Sequence, residues 1–314
     1  MNALNSRPNP ICSIVIPMFN AEKWITKTLD SVVNQTMQSW QCLVVDDGST
    51  DGSNSIVTAF SKTDPRITLI KIKNSGPANA RNVGISKASG RFIAFLDADD
   101  IWLPTKLESQ INSLKNSPEA AFTLCHHFLF QQDPNKILGA VYIKDFGKTM
   151  NGWINFWGEG PAASSALILD RLKVRSDLIF RIELFTTADF EFMMRLHEEY
   201  NYVSTPEILL GYRQHGNQMH DDIFLVEKEL EVLNDLFLKS SRLGSVYSKS
   251  SSIYLLTMKI LRGSQNVFVK IFRVTLKRRL AVLTLKLLRK RIIRSLSRIK
   301  LMRNRKTIQK LIFS

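Results

Sequence analysis

Three carboxylates crowd into four positions of the stretch FLDADDIWLP, at Asp97, Asp99 and Asp100, directly after the apolar run Ile93, Ala94, Phe95, Leu96. Carboxylates this close repel one another unless a cation lies between them. In an extended chain residues i and i+2 point to one side, so Asp97 and Asp99 are expected to face the same way and share that cation. Oxygen-only ligands select a hard divalent ion, Mn2+ or Mg2+. Two or three carboxylates leave part of its shell to substrate oxygens, for which a diphosphate is the usual source. The competing expectation is local: aspartates form turns and cap helices, and Asp100 stands nearest the helix expected in IWLPTKLESQINSL.

The elements around this cluster say where it must sit. CSIVIPMF is a short β-branched run closed by Pro17, a first strand. AEKWITKTLDSVVNQT follows as a helix with Trp24, Thr28, Leu29, Val32 and Val33 on one face and Asn20 as the expected N-cap. WQCLVVDDGSTDGS is a second strand running into a polar loop, NSIVTAFSK a short helix, and ITLIKI a third strand. GPANARNVGISKAS enters another helix, Gly90 ends it, and RFIAFLDADD is a fourth strand. Such alternation builds a parallel α/β sheet with helices on its faces. Ligands of such sheets bind beyond the carboxyl ends of the strands. The ends here carry Pro17 to Asn20, Asp46 with Asp47, and Asp97 to Asp100, so these clusters are expected to converge on one crevice.

Four segments in order, SIVIPMFNAEKWITKTLDSVVNQT, LVVDDGSTDGS, GPANARNVGISKASGRFIAFLDADDIWLPTKL and YRQHGNQMH, resemble the successive signatures of family 2 glycosyltransferases, over about residues 11–220. The resemblance implies an α/β GT-A fold, a Rossmann-like, mixed but mainly parallel sheet flanked by helices. It also implies inverting transfer from a nucleotide-activated sugar with a divalent metal, Mn2+ or Mg2+. Carried over residue by residue, Pro17 to Phe19 resembles the wall holding the nucleobase. Asp47, with Asp46 a close second, resembles the acid that accepts a bond from the base NH; the rival expectation is an Asx turn stabilising its own loop. Arg81 resembles a basic residue reaching the nucleotide, where a guanidinium gives charge-assisted bonds, against a surface salt bridge. Asp97 resembles the ribose-contacting acid of a DxD motif that also approaches the metal, and Asp99 the metal ligand proper.

Inverting transfer needs charge stabilisation on the leaving diphosphate, which metal and Arg supply, and a base for the acceptor hydroxyl. The family places that base in an ED pair opening a helix. The matching run is TTADFEFMMRL, with Asp189 at the base position, Ala188 where the Glu is usual, and Glu191 at another commonly acidic position. A capping box from Thr186 to Asp189 is the compatible local expectation. YRQHGNQMH resembles a YRxHxxxxS closing segment: Arg213 is expected on the phosphates and His215 on the metal or diphosphate, against a satisfied structural histidine. His126 and His127 lie in an apolar run and are assigned to structure. Trp153 and Trp157, in NGWINFWGEGPAASS, are expected either to wall the acceptor side or to pack in the core.

Charge divides the chain. Of 43 Lys and Arg, 21 lie beyond Asp235, the last acidic residue, which leaves 22 basic against 28 acidic residues before it. The expected organisation is a catalytic domain at 11–220, with nucleotide-binding and acceptor-side halves at 11–115 and 116–220, and a helical basic extension at 221–314. In that tail Leu285, Leu288, Ile292, Leu296 and Ile299 fall on one helical face and Arg279, Lys286, Lys290, Arg294 and Arg298 on another. A basic amphipathic helix suits an anionic membrane surface; a packed helix with a solvated face is the rival, and sparse aromatics argue against nucleic acid as partner. Cys12, Cys42 and Cys125 form no CxxC, the N-terminus lacks an apolar signal core, and no run reaches about 18 apolar residues. The expected location is the cytoplasm, peripheral on the inner face of the plasma membrane. The expected reaction moves a sugar, from a UDP-sugar by preference, onto a glycan or lipid-linked acceptor of cell-surface polysaccharide synthesis. A non-catalytic nucleotide-sugar binder is the alternative, kept open by Ala188. A sugar-1-phosphate nucleotidyltransferase would need a Gly-rich basic loop where PMFNAEKW stands.

Overall fold

The structure, a computed structural model, describes residues 9–143 and 164–215 together with Leu225, Lys228, Glu229, Val232 and Leu233. The chain forms two compact units, Met1–Glu229 and Leu230–Ser314. Trp153, Trp157 and the basic tail lie outside the described residues.

In the first unit the order is β1 (Cys12–Met18), α1 (Ile25–Val33), β2 (Trp40–Asp46), α2 (Ser53–Thr63), β3 (Ile67–Lys71), α3 (Pro77–Lys87), β4 (Phe92–Phe95) and β5 (Ile101–Trp102). It continues with α4 (Lys106–Asn116), β6 (Ala120–Phe130), β7 (Gly139–Val141), a 3-10 turn at Ser164–Ala166, β8 (Leu167–Asp170), α5 (Ala188–Glu199) and β9 (Asn201–Arg213). The strands form one mixed sheet, β3-β2-β1-β4-β8-β6-β9-β5, with β7 on β6. β1, β2, β3 and β4 pair in parallel, as do β6 and β9; the contacts of β4 with β8, β8 with β6, and β5 with β9 are antiparallel.

β1 is buried at all seven positions, as a central strand covered on both faces must be. Met18 stands opposite Asp46, and Val15 opposite Phe95, so β1, β2 and β4 end along one edge. α3 lies close on this sheet because of Gly84, where a Cβ would come within 2.3 Å of Val15 Cγ1. A stacked aromatic cluster holds α5 beneath β4. The Phe180 and Phe192 rings are 4.0 Å apart, and both meet Phe95 edge-on at 5.3 and 6.2 Å. Asn82 of α3 closes a reciprocal pair with the Phe180 backbone, at 2.8 Å each way. These contacts carry Arg81 and Asp189 to the edge where β4 delivers Asp97.

Several local expectations are corrected. α1 starts at Ile25, not after Asn20. Asn20 takes a left-handed backbone (φ 47°) and its Oδ1 accepts the Thr50 N–H across the edge. Trp24 precedes α1 and, rather than joining its core face, stacks on His215. Asp97 to Asp100 is a turn closed by Asp100 N–H donating to the Asp97 carbonyl, not an extended run, so the i, i+2 argument does not explain why Asp97 and Asp99 share a site. Asp100 does not start α4, whose N-cap is Thr105. Nor is there a capping box at α5: its N-cap is Thr187, with no side-chain bond to the helix.

Candidate active site

A cleft of about 540 Å³ opens along the strand-end edge. Pro17, Phe19, Asp47, Arg81, Asp97, Asp99, Asp189 and His215 all line it. Asp46 and Arg213 do not. Asp46 Oδ1 accepts the Ser49 N–H at 3.0 Å, so the Asx turn belongs to Asp46. Asp47 reaches across to the β3–α3 loop instead, accepting from the N–H groups of Ser75 and Gly76 at 2.8 Å each. Gly76 there has φ 92°, a conformation that favours glycine.

Arg213, expected on phosphates, is fully buried. Its Nε donates to the Asp99 carbonyl (2.6 Å) and its Nη1 to the Gln131 carbonyl, while the guanidinium lies 4.5 Å from the Trp24 ring and 4.4 Å from Phe130. It shapes the DxD turn from behind. Asp100 does the same from a buried position: Oδ1 accepts the Arg213 N–H (2.9 Å) and Oδ2 meets Ser165 Oγ (2.6 Å). Burial, then the neighbouring Asp99 and Asp97, push the Asp100 carboxyl well above the usual carboxylate range.

Ser164 and Ser165 carry no signal in the sequence, where they read only as the end of the loop NGWINFWGEGPAASS. Ser164 Oγ donates to Asp97 (3.1 and 3.0 Å to its two oxygens) and accepts from Arg81 Nη2 (3.1 Å), which also pairs with Asp97 at 2.6 Å. Ser165 Oγ accepts the Asp97 N–H at 3.0 Å. Arg81 is 4% exposed, and its buried Nε has no hydrogen-bond partner among the described residues. An unpartnered guanidinium N–H is costly to bury and is suited to an incoming anion.

Asp99 Oδ2 lies 2.9 Å from His215 Nε2, and the His215 ring stacks on Trp24 with centroids 5.5 Å apart. Among the described residues no group of three or more His, Cys, Asp or Glu is arranged to hold a metal. The Asp99–His215 pair nevertheless fits one side of a divalent shell, an oxygen and a nitrogen side by side at the cleft wall. Asp189 sits in the first turn of α5 and its Oδ1 accepts the Phe190 N–H at 2.7 Å. Burial raises its pKa above the ordinary value; Arg81 pulls it down and Asp97 pushes it up. A helix N-terminus favours the ionised form.

Outside the cleft, Glu191 is buried between Arg181 (2.9 Å) and Arg195 (2.6 Å), a structural ion cluster. His126 Nδ1 accepts the Ile143 N–H, and burial holds His127 down to about 4. The three cysteines are free and buried, with burial pushing the Cys12 thiol up to about 12 and Cys125 to about 11.

A mixed α/β sheet whose strand ends deliver acidic turns, and whose helix α3 delivers an arginine, to one cleft defines a class, the GT-A fold of nucleotide-sugar transferases. Two solved structures show the same fold. TarS 1–349 of S. aureus in complex with UDP-GlcNAc matches at TM-score 0.62 and 19% identity, over 79% of this chain and 72% of that one. The mannosyltransferase PcManGT from Pyrobaculum calidifontis, in complex with GDP-Man and Mn2+, matches at TM-score 0.60 and 15% identity, over 88% and 81%. Residues 13–161, just under half of the chain, match the model of Glycosyl transferase family 2, and that segment is a family 2 glycosyltransferase domain. Among curated relatives, the UDP-Glc:alpha-D-GlcNAc-diphosphoundecaprenol beta-1,3-glucosyltransferase WfgD of Escherichia coli is 48% identical over 109 residues, 34% of this chain. The chain covers 42% of that relative's length, and 15% and 49% of two others.

Proposed function

We propose that this protein is an inverting glycosyltransferase that moves a sugar from a nucleoside-diphosphate donor, a UDP-sugar by preference, to a hydroxyl of a glycan or lipid-linked acceptor. The observation that carries the reading is the meeting of Asp97, Asp99, Arg81 and Asp189 in one cleft. The UDP-GlcNAc and GDP-Man complexes of the fold neighbours support a nucleotide-sugar donor, and the diphosphoundecaprenol acceptor of the E. coli relative supports a lipid-linked one.

In this reading Pro17, Phe19 and Asp47 hold the base, and Asp97 the ribose. The unpartnered Arg81 Nε takes a phosphate oxygen. Asp99, with Asp97 and His215, would hold a divalent ion whose shell the donor diphosphate completes. Such an ion supplies positive charge for the leaving diphosphate. Asp189 takes the proton from the acceptor hydroxyl as its oxygen attacks the anomeric carbon. One C–O bond forms opposite the one that breaks, the nucleoside diphosphate leaves with the bonding pair, and the centre inverts. The basic tail, with no acidic residue beyond Asp235, supports peripheral attachment to the anionic inner face of the plasma membrane. No helix among the described residues is long and apolar enough to cross a membrane.

The test is a radiolabelled transfer assay across UDP-, GDP- and TDP-sugars with Mn2+ and polyprenyl-diphosphate-sugar acceptors. Metal-dependent product, lost in Asp99→Ala, is the expected result. Tight donor binding with no transfer to any acceptor would instead identify a nucleotide-sugar-binding protein. Flotation with anionic liposomes, comparing the full chain with one ending near Ser250, tests the tail; equal flotation would rule it out as the anchor.

A further inference from the structure

We infer that Glu229, outside the family-matched segment, is a positioning residue that sets Asp189 for proton transfer. The inference rests on the base assignment above.

The first N–H groups of a helix have no partner within it and need one from elsewhere. At α5 the usual device is absent, because Thr187 makes no side-chain bond to the helix. Glu229, 42 residues beyond Thr187, instead binds the N-cap N–H and the two residues that lead into it. Its Oε1 accepts the Phe185 N–H at 2.6 Å, and its Oε2 accepts the Thr187 N–H at 2.9 Å. The Thr186 N–H is shared between both oxygens, at 3.1 and 2.9 Å. The hydroxyls of Thr186 and Thr187 donate to Oε2 at 2.7 and 2.9 Å. Three consecutive residues thus converge on one carboxylate that is 3% exposed.

The gripped residues end two positions before Asp189. Phe185 and Thr186 line the cleft beside it, and Phe185 closes on Gly76, where a Cβ would meet its ring at 3.1 Å. Ala188 intervenes and offers no polar group of its own. The direction from which α5 presents Asp189 to the cleft is therefore fixed on its N-terminal side by Glu229. Misplacing a reacting group by about 1 Å can cost on the order of a hundredfold in rate. Charge-assisted bonds are the strong ones, and glutamine would replace one acceptor oxygen with a donor facing other donors.

The test is a cycle of Asp189→Asn, Glu229→Gln and the double variant in the full chain. It uses UDP-glucose and UDP-GlcNAc hydrolysis with Mn2+, in which water takes the acceptor's place, and UDP binding measured in parallel. Glu229→Gln is expected to lower kcat about 10- to 100-fold with KM within about threefold, and Glu229→Asp to recover part of it. In the Asp189→Asn background it is expected to lower kcat no further. A loss that multiplies with that of Asp189→Asn, or one matched by lost UDP affinity, overturns the inference while leaving the base assignment intact. Full activity of Asp189→Asn overturns both. If Glu229→Gln does not fold, Thr187→Val removes one of the donors: a kcat loss absent from Asp189→Asn supports the inference, and unchanged kcat overturns it.

Discussion

Replacing Ser165 with alanine removes one hydroxyl and, on this structure, loosens the whole DxD turn. That oxygen accepts the Asp97 N–H at 3.0 Å and meets the buried Asp100 carboxyl at 2.6 Å. Alanine fits the backbone, so the cost is that of the lost bonds. One is a neutral bond, typically about 1 kcal/mol net, and losing the other leaves a buried carboxyl short of a partner, about 1–3 kcal/mol. The total is about 3 kcal/mol, which for a unit of this size is a fall of roughly 6–12 °C in Tm. Because Asp97 and Asp99 sit on the freed turn, the loss should also appear in Mn2+-dependent UDP binding. Thermal melts with and without UDP and Mn2+ measure both. The expected result is a lower Tm for Ser165→Ala together with a smaller ligand-induced rise. A Tm within about 1 °C of the parent, or an unchanged ligand-induced rise, would refute the argument that this hydroxyl sets the turn.

Lys106 is buried with Gln110 Oε1 at 2.6 Å and the Trp102 ring at 4.1 Å, and burial lowers its pKa from 10.5 to about 8. A depressed folded-state pKa means the unfolded chain binds more protons between about pH 8 and 10.5, so this group's penalty is relieved as pH rises through that window. Lys106→Met should therefore melt higher than the parent at pH 7, and by a smaller margin at pH 9.5; a constant margin would contradict the assignment. Gly84→Ala adds a Cβ within 2.3 Å of Val15 Cγ1, so overpacking of about 1–3 kcal/mol should outweigh the gain of about 1 kcal/mol in helix propensity. Its Tm should fall, and a rise would show that α3 can move off the sheet. The pH profile of kcat/KM should have an acidic limb above the ordinary aspartate value of 3.8, because burial raises the pKa of Asp189 and the base must be ionised. A limb at or below that value would mean another group, or no group, acts as base.

The sheet and the cleft-facing ends of its strands were legible in the sequence because apolar runs that stop at polar clusters carry both signals at once. Pro17, Asp47, Asp97 and Asp99 reach the cleft by this logic, whereas Arg81, on α3, was legible only through the motif resemblance. What escaped depends on contacts distant in the chain. Ser164 and Ser165 meet the DxD turn across some 65 residues, and no period or composition marks them. Glu229 claims the hydroxyls that a capping box would have used, so a correct local rule for Thr186 gave the wrong partner. Asn20 was read as a cap because its type suits one, yet its side chain is taken by Thr50 in the neighbouring loop. Arg213 matched a motif by position, but the fold uses its guanidinium to hold backbone carbonyls from behind the site.

The central claim is that Asp189 removes the acceptor proton. Its most direct test is the turnover of Asp189→Asn at saturating donor and acceptor, with UDP affinity measured on the same preparation. A positioned general base contributes on the order of 10²–10⁴ in rate. The account predicts a loss of that size with UDP affinity unchanged; transfer within tenfold of the parent would contradict it.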